Sequence, residues 1–233
     1  MKLRVKYSKM GDARFLSHLE LLKAMERAFR RAKIPLAFSE GFNPHPKISY
    51  ASALSVGTAS RGEYLDLELN AEMGLSDFKS RINTCLVKGI EVLDVKEIKG
   101  KSKSLTSIIE MAEYTATSFV GNKLSEKELQ RLIDEFLMQP EIIVNRKSKD
   151  KNKEINIKEG IYCLKAELDN EMSLAINFTV VSGSKGNIRA GEVYHAFITF
   201  SDIKTHGNPF FIREDLYTIK NNSLYTPMGI PEG

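Results

Sequence analysis

The apolar positions of the first hundred residues switch repeatedly between a period of two and a period near 3.6, and few folds accept that order. Leu3, Val5 and Tyr7 alternate with Lys2, Arg4 and Lys6, as in a strand with one buried face. Asp12 and Ser17 are candidate caps for a helix in which Leu19, Leu22, Met25 and Phe29 recur to about Lys33, and Pro35 stops it. Residues 41–62 are irregular, with strand-like pieces around 48–52. Tyr64, Leu65, Leu67 and Leu69 predict a strand that carries Asp66 and Glu68 on its other side. Ser76 then caps a helix bearing Phe78, Ile82, Cys85 and Leu86, Gly89 ends it, and residues 90–98 are a further strand. The order is βαββαβ, that of a ferredoxin-like split unit.

Gly100-Lys101-Ser102-Lys103-Ser104 is a small, charged, turn-prone linker. After it the order repeats. Residues 112–120 predict a strand, and Ser125 starts a helix with Glu128 at the capping-box position. That helix carries Leu129, Leu132, Ile133 and Phe136 and ends near Pro140. Strands follow at 142–144, 155–168 and 174–181, then a helix at 189–199 and a last strand at 210–219. The expected fold is α+β, two tandem ferredoxin-like (βαββαβ) units with antiparallel sheets, residues 1–99 and 105–233.

Charge is segregated along this frame. Up to Gly62 there are 12 Lys/Arg against 4 Asp/Glu, and beyond it 22 against 26, so a net charge of only +4 conceals a basic N-terminal surface. Such a surface suits an anionic partner, RNA foremost, with no DNA expected. Cys85 and Cys163 match neither a disulfide framework nor a metal-ligand spacing, which favours a reducing cytoplasm. The N-terminus has no apolar core of a secretory signal. No apolar run approaches the ~20 residues of a membrane helix, so no membrane partner is expected.

Four features carry candidate chemistry. Lys23, Arg27, Arg30 and Arg31 fall on one face of the first helix, with Arg14 upstream and Arg4 and Lys6 on one face of the first strand. Such a stripe could track a phosphate backbone, against which stands an ordinary solvated helix face offset by Glu20 and Glu26. The loop Phe42-Asn43-Pro44-His45-Pro46-Lys47 is stiffened by two prolines. It presents His45 and Lys47, and Phe42 and Tyr50 could stack bases while Lys47 meets a phosphate, unless the Asn-Pro turn merely closes the domain. His18, in the first helical turn, is the candidate general base of a metal-independent ribonuclease, with His45 the alternative. Arg146, Lys147, Lys149, Lys151 and Lys153 mark a basic hairpin that serves either a second RNA contact or solubility alone. Gly183-Ser184-Lys185-Gly186 fits a GxxG pattern but reads better as a turn. No phosphate-cradling or dinucleotide motif is present, and the dispersed histidines show no metal spacing. No cofactor is expected in this chain.

The runs Lys6-Tyr7-Ser8-Lys9-Met10-Gly11-Asp12, Arg14-Phe15-Leu16-Ser17-His18-Leu19-Glu20 and Gly41-Phe42-Asn43-Pro44-His45-Pro46-Lys47-Ile48-Ser49 resemble the radical-SAM-associated domain family of unknown function. Gly62-Glu63-Tyr64-Leu65-Asp66 also fits, as does Ile212-Arg213. In that family the domain stands alone or follows a radical SAM protein of cobalamin-binding type. Its gene neighbours often include ribonuclease G and large-subunit ribosomal proteins. The resemblance implies an accessory module that binds RNA or a ribonucleoprotein beside a radical SAM partner, in RNA or ribosome modification or maturation. Two cysteines cannot supply the three-cysteine cluster motif, so a partner would have to run that chemistry. The alternatives are a metal-independent endoribonuclease and a purely protein-binding domain.

Overall fold

The computed structural model describes residues 1–100, 103–121, 124–147, 152–169, 172–184 and 186–230. The fold is mixed α+β, with mostly antiparallel strands and several helices. It divides into two compact units. The first holds residues 1–110 together with those after Ile212, and the second is Met111–Ile212. The return of the chain's end to the first unit has no counterpart in a reading with one boundary at the 100–104 linker. Of that linker, residues 101 and 102 lie outside the described residues.

The first unit begins with strand β1 (Lys2–Lys9), a 3-10 turn (Gly11–Phe15) and helix α1 (His18–Arg31). Strands β2 (Ile48–Tyr50) and β3 (Ala59–Glu68), helix α2 (Leu75–Asn83), strand β4 (Ile90–Glu97) and the short helix α3 (Leu105–Ile108) follow. β1 lies between β4 and β3 and is antiparallel to both, and β2 is antiparallel to β3. α1 starts where Ser17 caps it: the Glu20 N–H donates to the Ser17 hydroxyl at 3.3 Å and the Ser17 N–H to the Glu20 carboxylate at 2.8 Å. The Ser17 hydroxyl also donates to that carboxylate, at 2.7 Å, and with the Ser17 N–H holds the Glu20 carboxyl below its usual range. Leu21, Met25, Ala28 and Phe29 form the buried face of α1, over Leu3, Val5 and Tyr7 of β1 and Phe78 and Ile82 of α2. Leu19, expected on the apolar face, is instead 67% exposed.

In the second unit the elements are β5 (Met111–Val120), α4 (Glu126–Met138), a separate hairpin of β6 (Ile143–Lys147) and β7 (Asn152–Asn156), β8 (Ile161–Asp169), β9 (Ser173–Val181) and α5 (Ala190–Ser201). β9 is antiparallel to both β5 and β8. The expected strand at 155–168 is therefore two strands, broken by a 3-10 turn at Lys158–Gly160. Phe136 of α4 meets Phe197 of α5 edge-on at 5.4 Å. Residues 149, 151 and 185, expected in the basic hairpin and the GxxG turn, lie outside the described residues.

Strand β10 (Thr205–Lys220) carries the chain out of the second unit, and its residues from Arg213, followed by β11 (Ser223–Tyr225), belong to the first. Gly62 of β3 marks how closely β10 approaches. A methyl group there would stand 2.8 Å from the Asp215 Cα and 2.8 Å from the Glu214 carbonyl oxygen, backbone that cannot yield like a side chain. Gly62→Ala is expected to cost about 1–3 kcal/mol, read as a fall in the urea midpoint. An unchanged midpoint would mean that the strands separate freely.

Candidate nucleic-acid interface

Burial of the Leu21–Phe29 face turns the opposite side of α1 outward. Lys23, Arg27 and Arg30 are exposed there, and no described residue holds any of them by a hydrogen bond or ion pair. At 1.5 Å of rise per residue the three charges span about 10 Å. Arg31 differs, since its guanidinium donates to the Cys85 carbonyl oxygen and ties the end of α1 to the segment after α2.

The loop after α1 is a small closed hairpin. The Ser39 N–H donates to the His45 carbonyl at 2.9 Å and the Lys47 N–H to the Ala37 carbonyl at 2.8 Å. Phe42, at its tip, is 107% exposed. His45 is also exposed, and its Nδ1 stands 2.9 Å from the Asn43 carbonyl, so that nitrogen carries the proton. Lys47 is shared with Glu68 at 3.4 Å, in a pair about half exposed. Such a pair contributes little and leaves the ammonium within reach of an anion.

Tyr50 is less available than its position in the sequence suggests. Its ring meets the His18 ring edge-on at 6.0 Å, and its enclosed hydroxyl has no hydrogen-bond partner among the described residues. Burial, with the Glu26 carboxylate adding to it, pushes the Tyr50 phenol well up. His18 is half-buried, and no hydrogen bond links it to a carboxylate or cation among the described residues.

Arg4 and Lys6, expected to face phosphate, share one face of β1 as the alternation requires, but that face is covered. The Arg4 guanidinium donates to both Asp66 carboxylate oxygens, at 2.8 and 3.0 Å, and to the Pro227 carbonyl at 3.0 Å. It is 6% exposed. Lys6 donates to Asp215 at 2.6 Å, and Tyr64 donates to the other Asp215 oxygen at 2.5 Å. Both cations are neutralised within the first unit. In the second unit Arg146 is likewise committed, donating to both Glu192 oxygens at 2.6 and 2.7 Å and to the Asn187 carbonyl at 2.6 Å. That pairing raises its pKa further. Lys147 ends β6, and its side chain lies outside the described residues.

The sequence reading did not foresee a buried polar set under the start of α1. Arg213 of β10 donates to the two Glu63 oxygens at 2.9 and 3.1 Å, both side chains being 3% exposed, and to the Ser52 hydroxyl at 3.2 Å. Tyr7 lies opposite Glu63 across β1 and β3, and burial followed by the Glu63 charge raises its phenol. Lys9, 1% exposed, donates to the carbonyls of Leu16 at 2.7 Å and Arg14 at 3.3 Å, and burial lowers its pKa. The motif around Glu63 and the Ile212-Arg213 pair were both visible in the sequence. Their contact was not, because 150 residues separate them.

A family model described as "Uncharacterized protein conserved in bacteria (DUF2344)" matches residues 2–190, most of the chain. That description names neither an activity nor a partner. No curated protein matches the chain in sequence. Among solved structures the chain is similar to one from the "Crystal Structure of a Cbf5-Nop10-Gar1 Complex", with a TM-score of 0.53 at 12% identity. The likeness covers 92% of this chain and 48% of the other, so the chain spans about half the length of that neighbour. At this identity the likeness concerns the fold alone.

Proposed function

Since the chain belongs to this family of uncharacterized proteins conserved in bacteria, we propose from the geometry of α1 that it is an RNA- or ribonucleoprotein-binding accessory module. The observation that carries the reading is the exposed row Lys23, Arg27 and Arg30, held by no described residue, with Phe42 and His45 exposed on the hairpin that follows α1 in the chain. Other basic residues of the first unit, Arg4 and Lys6 among them, are spent on internal carboxylates. A radical SAM partner is part of the proposal on the resemblance of residues 6–66. Ferredoxin-like topology in each unit is inferred as well. It is supported by the strand order β4-β1-β3 with β2 beside β3, and by β10-β5-β9-β8 with the β6–β7 hairpin inserted.

The test is a salt titration of RNA binding by the chain and by a K23E/R27E/R30E variant, followed by anisotropy of a labelled RNA. Each lost phosphate contact is expected to flatten the slope of log affinity against log salt by about 0.7 for a single strand. Loss of all three gives a change of about 2 and at least a tenfold weaker complex at low salt. Equal slopes and affinities for the two proteins would reject the α1 surface. Capture of a partner that survives nuclease treatment, with no RNA affinity, would replace this reading by protein docking.

A further inference from the structure

The turn before α1 holds an aromatic ring outward on a backbone fixed from both sides. Phe15, its last residue, is 55% exposed. The carbonyl of the preceding residue, Arg14, accepts from the Gly57 N–H at 2.9 Å and from the Lys9 ammonium at 3.3 Å. The following carbonyl, of Leu16, accepts from the same ammonium at 2.7 Å, and the Leu16 N–H donates back to Ala13 at 3.0 Å. Burying an ammonium group is costly, and here it donates to the carbonyls of the two residues that flank Phe15. The backbone carrying the ring is thereby preorganised, so holding a ligand there costs little ordering entropy.

The Arg14 guanidinium lies over the Phe15 ring, 4.6 Å from its centroid, while the ring keeps more than half its surface open. Ser17, two residues on, caps α1. Beyond it the exposed Leu19 is followed at four-residue steps by Lys23 and Arg27 on the same side of the helix. A flat apolar surface carrying a cation thus stands at the head of a row of unpaired cations.

We propose that Arg14 and Phe15 form a stacking platform for an unpaired nucleobase, so that the RNA carried by α1 is single-stranded. The proposal rests on the RNA reading of α1 and adds its substrate class. Every base offers a π-face to an aromatic ring, and a guanidinium adds cation–π attraction, which makes such a platform tolerant of sequence. In a duplex the bases are already stacked on each other and cannot reach the ring. A protein partner would be a better match if the apolar surface ended in neutral or acidic residues, but it leads into Lys23, Arg27 and Arg30.

The experiment compares a labelled oligouridine with an RNA duplex of the same length, for the full chain and for F15A, F15L and F15Y. F15A and F15L are expected to weaken single-strand binding about tenfold, within the range of one base–aromatic stack, with duplex binding and the salt slope unchanged. F15Y should bind like the parent. The leucine variant keeps apolar volume at the turn, so its loss of binding reports the missing ring rather than a collapsed backbone. Parent-like binding by F15L, or equal losses on single strand and duplex, overturns the platform and leaves the α1 reading standing. Failure of the parent chain to retain either RNA rejects the α1 reading and the platform together.

Discussion

Glu63→Leu is expected to cost about 3–5 kcal/mol, because it removes the carboxylate that takes two hydrogen bonds from the Arg213 guanidinium, a cation 3% exposed. Total stability for a chain of this kind is about 5–15 kcal/mol, so the loss is a large fraction of the whole. The pair differs in this from Arg61 and Glu214, which meet at 2.8 Å but on a side chain 58% exposed, where an ion pair contributes little. E63L/R213M, which removes both charges and retains apolar volume, should recover most of the loss. Urea unfolding of the two single variants and the double variant gives the coupling energy directly. If Glu63→Leu proves nearly neutral, the remaining contacts of the guanidinium, the Ser52 hydroxyl and the Ala53 carbonyl among them, suffice, and the carboxylate is dispensable.

Alkali should unfold the protein through its buried phenols. Tyr7, Tyr50 and Tyr64 all have pKa values raised by burial in the folded state, Tyr64 further by the Asp215 carboxylate that accepts its hydrogen bond. Below the ordinary phenol value of about 10 both states keep these protons, and the groups add no pH dependence to stability. Above it the unfolded chain releases them while the native chain retains them. The native state then binds more protons, and stability falls as pH rises. Each phenol contributes a slope of up to about 1.4 kcal/mol per pH unit, so the three together reach about 4. Lys9 acts in the opposite sense. Its folded pKa is lowered, so its contribution grows with pH until the unfolded lysine also loses its proton, at about 10.4. The steep loss should therefore set in just above that point. Urea midpoints across the alkaline range measure it, and a flat profile up to about pH 12 would refute it. Tyr50→Phe should remove about a third of the slope without harm, since its hydroxyl has no partner to lose.

What the sequence reveals of this molecule follows from the range over which each signal acts. The strand β1 and the helix α1 announce themselves through local period, and of the two candidate caps before α1 the structure uses Ser17. Strands β7 and β8 read as one because Ile155, Ile157 and Ile161 keep the alternation going across the 3-10 turn between them. The face shared by Arg4 and Lys6 was legible, and its fate was not. Whether a basic face meets solvent or carboxylates depends on Asp66 and Asp215, and no local period reports them. Leu19 misleads for a similar reason: a leucine at helical spacing is apolar whichever way the helix rolls, and only tertiary packing selects the Leu21 side.

The strand that leaves the second unit and finishes in the first has a temporal meaning. Glu63 must wait for a guanidinium 150 residues further along the chain, and the Lys6 ammonium for a carboxylate 209 residues away. A nascent chain that has completed residues 1–110 can form α1 and the strands around it, but two of its interior charges have no counterions yet. The first unit is thus begun first and closed last, its assembly set by contacts of long sequence separation. A chain cut short before Arg213 would carry those unpaired charges beneath an otherwise formed core, which makes such fragments ready substrates for the cell's proteases.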